Sequence, residues 1–525
     1  MSVLSSARNL VSVAGEVARF ALRPMTVEDA KAKIRGRMAA RERLFLQMVR
    51  ETIWEYPKSP YRRLLEWADW SYEGLAESVG RQGVEATLKT LLAAGVYVTF
   101  DEFKGRTPIR RDGLVLECKA SDFDNPRVVP SFEVRTSGTR SRGSIVPASL
   151  GYIADQRAPA FCLMLEAIRT GAAPIVIWLH YRLGSGMMWW LSLIHMGRPS
   201  LRWFSIVDPT AAELSAGHRT LMRLLRIFTG LRGARAPLPE HAGFSNADVV
   251  LDAVLDARRR WGRCAVITTP SAATRLAALA ERRGIHLQGV TFLLGAEPLT
   301  PGKYAEIARS GAGIGVRYAF TEAGAVGGAC GVPSTFDDVH LLMDGFALIT
   351  RARAFADGGA ANAFVFTSLL PSSPKVLFNA ESDDFGEISE RRCGCIWDSL
   401  GMHTHITNIR SFSKLTGEGM TLLGTDCVRI LEEVLPREFG GRSIDYQLLE
   451  VEDDDHLTRL HLVVSPSVGP IDEARLLARF VEELRAPSRP RSFVLTPLWE
   501  EAGTIKVVRR EPVVSAGGKL LPFHT

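Results

Sequence analysis

Short, strongly apolar runs separated by helix-patterned stretches dominate the middle of this chain. APIVIWLH, CAVITTP, GVTFLLG and ANAFVFTSLL are the runs, and TRLAALAERRG carries helical apolar spacing between two of them. Strands alternating with helices therefore predict an α/β layered fold over residues 111–409. Residues 1–110 read mainly helical, through MTVEDAKAKIRGRMAARERLFLQMVRETIWEY and VEATLKTLLAAG, with Thr26 as a helix cap, and are expected to pack on the body.

Residues 410–525 have a different texture. IDYQLLEV and LTRLHLVVS flank an acidic turn at Asp453 to Asp455 and predict a hairpin; DEARLLARFVEELR predicts a helix and RSFVLTPL a further strand. The expected architecture is a large multi-layered α/β body with a small mobile α+β C-terminal domain, hinged near IRSFSKLTGEGMT.

At 525 residues and 46% hydrophobic, the chain can bury more than one core. The net charge of +6 is spread over 64 basic and 58 acidic residues, too small an excess to imply a nucleic-acid partner. Seven cysteines, an odd number, argue against a disulfide framework and point to a cytoplasmic location. MSVLSSARNLVSVAGEVARFALRP lacks a basic leader before a long apolar core and reads as an amphipathic helix through Val11, Val13, Val17 and Phe20, for packing on the body or against a membrane surface. The apolar run at IVIWLH is broken by Tyr181, Arg182 and Gly184, so no transmembrane segment is expected.

EVRTSGTRSRGS, residues 133–144, is ordinary turn material taken alone. It also has what a phosphate loop needs: Gly138 for close backbone approach, hydroxyls on Thr136, Ser137 and Thr139, and charge from Arg140 and Arg142. Downstream, LLGAEPLTPGKYAEIARSGAGIGVRYAFTEAGAVGG reads as strand, loop, helix, strand, loop. Both loops then fall at carboxyl ends of strands, the edge where α/β sheets bind ligands.

At these residues the chain resembles the adenylate-forming (acyl-activating) superfamily, nearest its phenylacetate–CoA ligase-like branch with acyl-protein synthetase-like relatives. TSGTRSRGS is similar to the phosphate loop, GAEP to the adenine-side strand and YAFTE to the Y-G-x-T-E motif. SDDFGEI stands for the ribose-binding segment, IRSFSKLTGEG for the hinge and AGGKLLPF for the catalytic-lysine motif. The resemblance runs from about residue 130 to the C-terminus. It implies ATP-dependent activation of an aryl or acyl carboxylic acid as an acyl-adenylate. Transfer to a thiol follows: CoA, a carrier protein's pantetheine arm or a protein cysteine.

The roles implied are residue-specific. Thr136, Ser137, Gly138 and Thr139 would cradle the β- and γ-phosphates, Thr321 would touch the α-phosphate, and Glu322 would hold Mg²⁺, which favours oxygen ligands. Tyr318 would stack on adenine, with Gly295, Ala296 and Glu297 walling the base; Asp384 and Arg410 would hold the ribose. Lys519 would bridge the reacting carboxylate and phosphate, with Lys506 as a competitor. The run Met187, Met188, Trp189 and Trp190 would line the acid pocket or form plain core.

Some ligases of this branch carry a C-x-C after the ribose motif. Here Cys393 and Cys395, with Cys330 and His340, would make a Cys₃His set of the structural Zn²⁺ type. His403 and His405 offer a competing pair. The chain departs from the family pattern at Ser141, Ala319, Asp383 and Phe412, and keeps Gly419. These departures leave a second expectation open, a nucleotide- or acyl-binding relative without turnover.

Overall fold

The computed structural model describes residues 14–129, 132–135, 145–181, 185–206, 216–354, 360–412, 416–417, 420–421, 424–452, 458–484, 505–514 and 520–524. The apolar runs form a six-stranded, all-parallel sheet ordered Gly313–Val316, Val290–Leu294, Cys264–Thr268, Ile175–Trp178, Arg202–Ser205, Pro239–His241. Its strands are apolar at successive positions because both faces are covered. Ile175, Ile177, Trp203, Ile267 and Leu293 join one core; Val176, Trp178, Phe204, Val266 and Phe292 join another. Each such side chain contributes roughly 2 kcal/mol on burial. The helices Ala247–Trp261 and Pro270–Arg282 cover the second face.

Past residue 317 the alternation of strands and helices stops, unlike the sequence expectation. A seven-stranded antiparallel sheet follows, ordered Tyr318–Phe320, Gly324–Ala329, Val339–Leu341, Thr404–Ser411, Ala380–Glu390, Ala360–Ser368, Phe346–Ala354. ANAFVFTSLL lies here, its strand pairing antiparallel to both neighbours. An apolar strand does not reveal by composition which kind of sheet receives it.

The N-terminal region is helical as expected. Thr26 and Asp29 form a reciprocal capping box at the start of Val27–Ala39. Residues 14–22 are helical, and Val17, Phe20 and Ala21 are buried, with the Phe20 ring stacked on His195 at 4.7 Å. The region docks on the antiparallel sheet through Asn379, whose side-chain amide donates to the carbonyls of Leu88 and Val96 at 2.9 and 3.0 Å. Val98 exchanges backbone hydrogen bonds with Asn379 and Glu381.

Toward the C-terminus, the predicted hairpin is Tyr446–Glu452 against Thr458–Val464, and the predicted helix is Glu473–Leu484. Ile505–Arg509 adds parallel to one side and Phe523–His524 parallel to the other. These elements share their own core, including Ile430, Leu448, Leu462 and Phe480. The strand expected at RSFVLTPL lies outside the described residues. Among the described residues no helix is long and apolar enough to cross a membrane.

Candidate active site

The carboxyl edge of the parallel sheet gathers the first part of the site. Val290–Leu294 ends in Gly295, whose missing side chain leaves room for Arg317: a Cβ there would stand 2.8 Å from the Arg317 Cγ. Ala296 turns the chain with φ +72, a left-handed conformation uncommon outside glycine. The turn delivers Glu297 to a buried position, where one carboxylate oxygen accepts from the Ser271 amide at 3.1 Å and its hydroxyl at 2.6 Å.

Tyr318 and Asp384 meet. The tyrosine hydroxyl donates to Asp384 at 2.7 Å, although three strands separate theirs in the sheet order. At about 4.8 Å per strand a flat sheet would hold these backbones about 19 Å apart, so the sheet curls to bring them together. The Tyr318 ring packs among Phe320, Phe364 and Phe366 at 6.1 to 6.3 Å between centroids. Burial, reinforced by the Asp384 carboxylate, pushes the phenol well above its ordinary pKa, so it remains a donor.

Arg410 lies on the strand beside Asp384, opposite Phe385, and donates to the Ile409 carbonyl at 3.0 Å. Asp383 accepts from the Ser411 hydroxyl at 2.9 Å and its carbonyl accepts from the Phe412 amide at 2.7 Å. Phe412 is buried, with Phe385 at 4.7 Å and the Arg353 guanidinium over its ring.

Thr321 is half-buried at the end of Tyr318–Phe320. Glu322 is buried and ion-paired to Lys104. Sequence reasoning missed Lys104, which follows the short helix Phe100–Phe103; the Thr99–Glu102 capping box orients that turn. No local pattern marks this lysine, because its partner is 218 positions away.

Thr136, Ser137, Gly138, Thr139 and Lys519 lie outside the described residues. Leu520, the residue after Lys519, is described: its amide donates to Glu297 at 3.2 Å and its carbonyl accepts from the Ser271 hydroxyl at 3.1 Å. The C-terminal tail thus reaches the Gly295–Glu297 turn. Lys506 is exposed on Ile505–Arg509, opposite His461. A second buried contact joins body and C-terminal elements, where Lys303 stands 3.3 Å from Glu432 and Thr300 donates to the same carboxylate.

Met187, Met188, Trp189 and Trp190 are all buried on the helix Ser185–His195. Trp190 is anchored in core, its indole donating to the Pro237 carbonyl at 2.9 Å. Trp189 stacks on Phe161 at 3.7 Å; Arg317 lies over Trp189 and Arg157 over Phe161, and the sequence reading singled out neither arginine.

The cysteine–histidine set converges. Ligand atoms of Cys330, His340, Cys393 and Cys395 lie within 4.8 Å of one another. The Cys330 and Cys393 sulfurs are 3.9 Å apart, and His340 Nε2 is 3.3 Å from Cys393 and 3.2 Å from Cys395. Tetrahedral zinc with sulfur ligands at about 2.3 Å separates them by about 3.8 Å, so the donor set fits. His340 Nδ1 sits 3.0 Å from the Met402 carbonyl, an arrangement that turns the other nitrogen's lone pair toward the sulfurs. Gly394, at φ +74, lets the C-x-C turn present both thiols to one point. His403 and His405 do not form the competing pair: His403 faces Asp398 at 2.8 Å, and His405 faces Asp338 at 2.6 Å.

No family model and no curated protein matches the chain. Among solved structures it is similar to 2-hydroxyisobutyryl-CoA ligase in complex with 2-HIB-AMP and CoA, at 16% identity and TM-score 0.43, covering 96% of this chain and 91% of that one. It is similar to the amide bond synthetase McbA from Marinactinospora thermotolerans, at 14% identity and TM-score 0.40, covering 97% and 98%. It is also similar to the anthranilate CoA ligase AuaEII in complex with anthranoyl-AMP, at 12% identity and TM-score 0.42, covering 83% and 74%. Likeness at this level carries no functional argument, which rests on the chain's own residues.

Proposed function

We propose that this chain is an adenylate-forming ligase. A carboxylate oxygen attacks the α-phosphorus of ATP, pyrophosphate leaves, and the acyl-adenylate then passes its acyl group to a thiol as AMP departs. CoA is the acceptor we favour; a carrier protein or a protein cysteine uses the same chemistry. The observation that carries the reading is the Tyr318–Asp384 hydrogen bond, which joins two motifs 66 positions apart. A carboxylate has about four lone-pair sites, more than the Tyr318 hydroxyl uses, so it can also accept from ribose hydroxyls.

In this reading Gly295, Ala296 and Glu297 wall the adenine, Arg410 supports the sugar, and Thr321 donates to the α-phosphate. Thr136, Ser137, Gly138 and Thr139 hold the β- and γ-phosphates. Glu322 supplies an oxygen ligand for Mg²⁺, whose charge offsets that building on the phosphates. Lys104 neutralises Glu322 in the described arrangement and must share or yield it. Lys519 approaches when the small C-terminal unit seats its tail on Glu297. Cys330, His340, Cys393 and Cys395 would hold a structural Zn²⁺, which would tie together the chain segments that carry them.

Carboxylate-dependent exchange of labelled pyrophosphate into ATP tests the first half-reaction. Exchange with at least one acid of a broad aryl and fatty panel is expected. ATP binding without exchange for any acid would favour the second reading, a nucleotide-binding relative without turnover. The Lys104–Glu322 pair, which occupies the expected Mg²⁺ ligand, is the observation on that side.

A further inference from the structure

Arg157 and Arg317 are buried, at 8% and 6% exposure, and neither has an acidic partner among the described residues. Arg157 stands on the helical segment before Ala158–Ala167, and Arg317 immediately precedes Tyr318. Both guanidinium groups lie over one ring, Phe161, at 4.9 and 5.8 Å from its centroid; Arg317 also lies 5.5 Å from Trp189. Among the described residues, the only side-chain hydrogen bond of the pair runs from Arg317 to the Ser185 hydroxyl at 3.1 Å. Arg157 Nε, Arg317 Nε and the Trp189 indole nitrogen are buried without a hydrogen-bond acceptor among the described residues.

A buried cation without a counter-charge is strongly unfavourable, and a cation–π contact offsets only part of that cost. Two such cations facing one aromatic stack, with three unused donors, are arranged for an anion. Burial, reinforced by the neighbouring Arg157 charge, depresses the Arg317 pKa to about 9.

The cluster sits where an acid would be activated. Arg317 packs over Gly295, and any side chain at Gly324, just past Thr321 and Glu322, would collide with Arg157 and the Tyr152 hydroxyl. We infer that the Arg157–Arg317 pair binds a second anionic group on the carboxylic acid substrate, making the preferred class a dicarboxylate with an apolar middle. This rests on the adenylation reading for its position, but not for its ligand chemistry. The reacting carboxylate is the poorer occupant. Two arginines would blunt it as a nucleophile, and its charge disappears on adenylation, stranding both cations. A distal carboxylate keeps its charge through both half-reactions.

The test is calorimetric binding without ATP, using terephthalate, isophthalate and adipate against benzoate, monomethyl terephthalate and hexanoate. At least one diacid should bind ten or more times tighter than its monoacid counterparts. Arg317→Met and Arg157→Met should each erase that preference while leaving monoacid binding unchanged. Without ligand, Arg317→Met should melt at a higher temperature than the parent, because an unpaired buried charge is gone. Equal binding of diacids and monoacids overturns the inference. So does an equal loss for both classes in the variants, which would place the reacting carboxylate on the arginines. A lower melting temperature for Arg317→Met overturns it as well, because the arginine would then be structural. A diacid preference without pyrophosphate exchange for any acid would sink the adenylation reading and leave the anion site standing.

Discussion

The Tyr318 hydroxyl and the Asp384 carboxylate are 2.7 Å apart, joined across a sheet whose order places three strands between them. Tyr318→Phe removes a donor to a charged group, a loss of about 1.5–3 kcal/mol, so the KM for ATP should rise roughly 10- to 100-fold. Pyrophosphate-exchange kinetics against ATP concentration measure it. An unchanged KM with a lowered melting temperature would make Tyr318 a core residue only.

Zinc content follows from the convergence of Cys330, His340, Cys393 and Cys395. Purified protein should carry about one equivalent, and Cys393→Ser or Cys395→Ser should reduce it below about one tenth with a drop in melting temperature. His403→Asn should keep the metal, since that imidazole faces Asp398. Elemental analysis of the three variants decides it; metal-free parent protein removes the site.

Lys104→Met leaves the Glu322 carboxylate buried without its partner; the side chains are 15% and 8% exposed. Breaking a pair of this kind costs about 3–5 kcal/mol. Added Mg²⁺ should restore part of the lost thermal stability, and half-saturating Mg²⁺ for exchange should fall about tenfold, an ordinary coupling free energy. A variant whose melting temperature ignores Mg²⁺ would show that Glu322 is structural.

Glu432 sits in the buried contact with Lys303 and Thr300, and burial raises its pKa above the ordinary carboxylate value despite the lysine. A raised folded pKa means the contact's contribution is fully present below about pH 4.5 and declines as pH rises through the folded value. Hydrogen exchange at residues 430–435 should accordingly quicken with pH beyond the intrinsic chemical rate. Glu432→Gln should flatten that dependence. Parallel profiles for parent and variant would assign the titration elsewhere.

The Glu297–Leu520 hydrogen bond puts the residue after Lys519 at the Gly295–Glu297 turn, whereas Lys506 is exposed on a strand beside His461. Lys519→Ala should lower exchange by roughly 10²- to 10³-fold, the scale of one transition-state donor, and Lys506→Ala should not. The reverse ranking would transfer the role to Lys506.

Much of the architecture was readable in the linear order. Apolar runs such as IVIW forecast strands between helices, and Thr26 forecast a helix start, because these depend on residues within one turn or one strand. The resemblance in motif order picked out Gly295, Tyr318 and Asp384, and the C-x-C with Cys330 and His340 picked out four side chains that converge. The antiparallel character of the sheet beyond residue 317 was not readable, since an apolar strand pairs either way.

The sequence by itself determined which side chains exist and which short segments are strand, helix or cap. Only the tertiary structure decided that Lys104 neutralises Glu322, that Glu297 receives the tail at Leu520, and that Arg157 and Arg317 share one aromatic stack with no acidic partner among the described residues. The reason is physical. Capping and strand patterning act over a few residues, whereas charge pairing and burial depend on distance through space, which chain curvature sets between residues hundreds of positions apart.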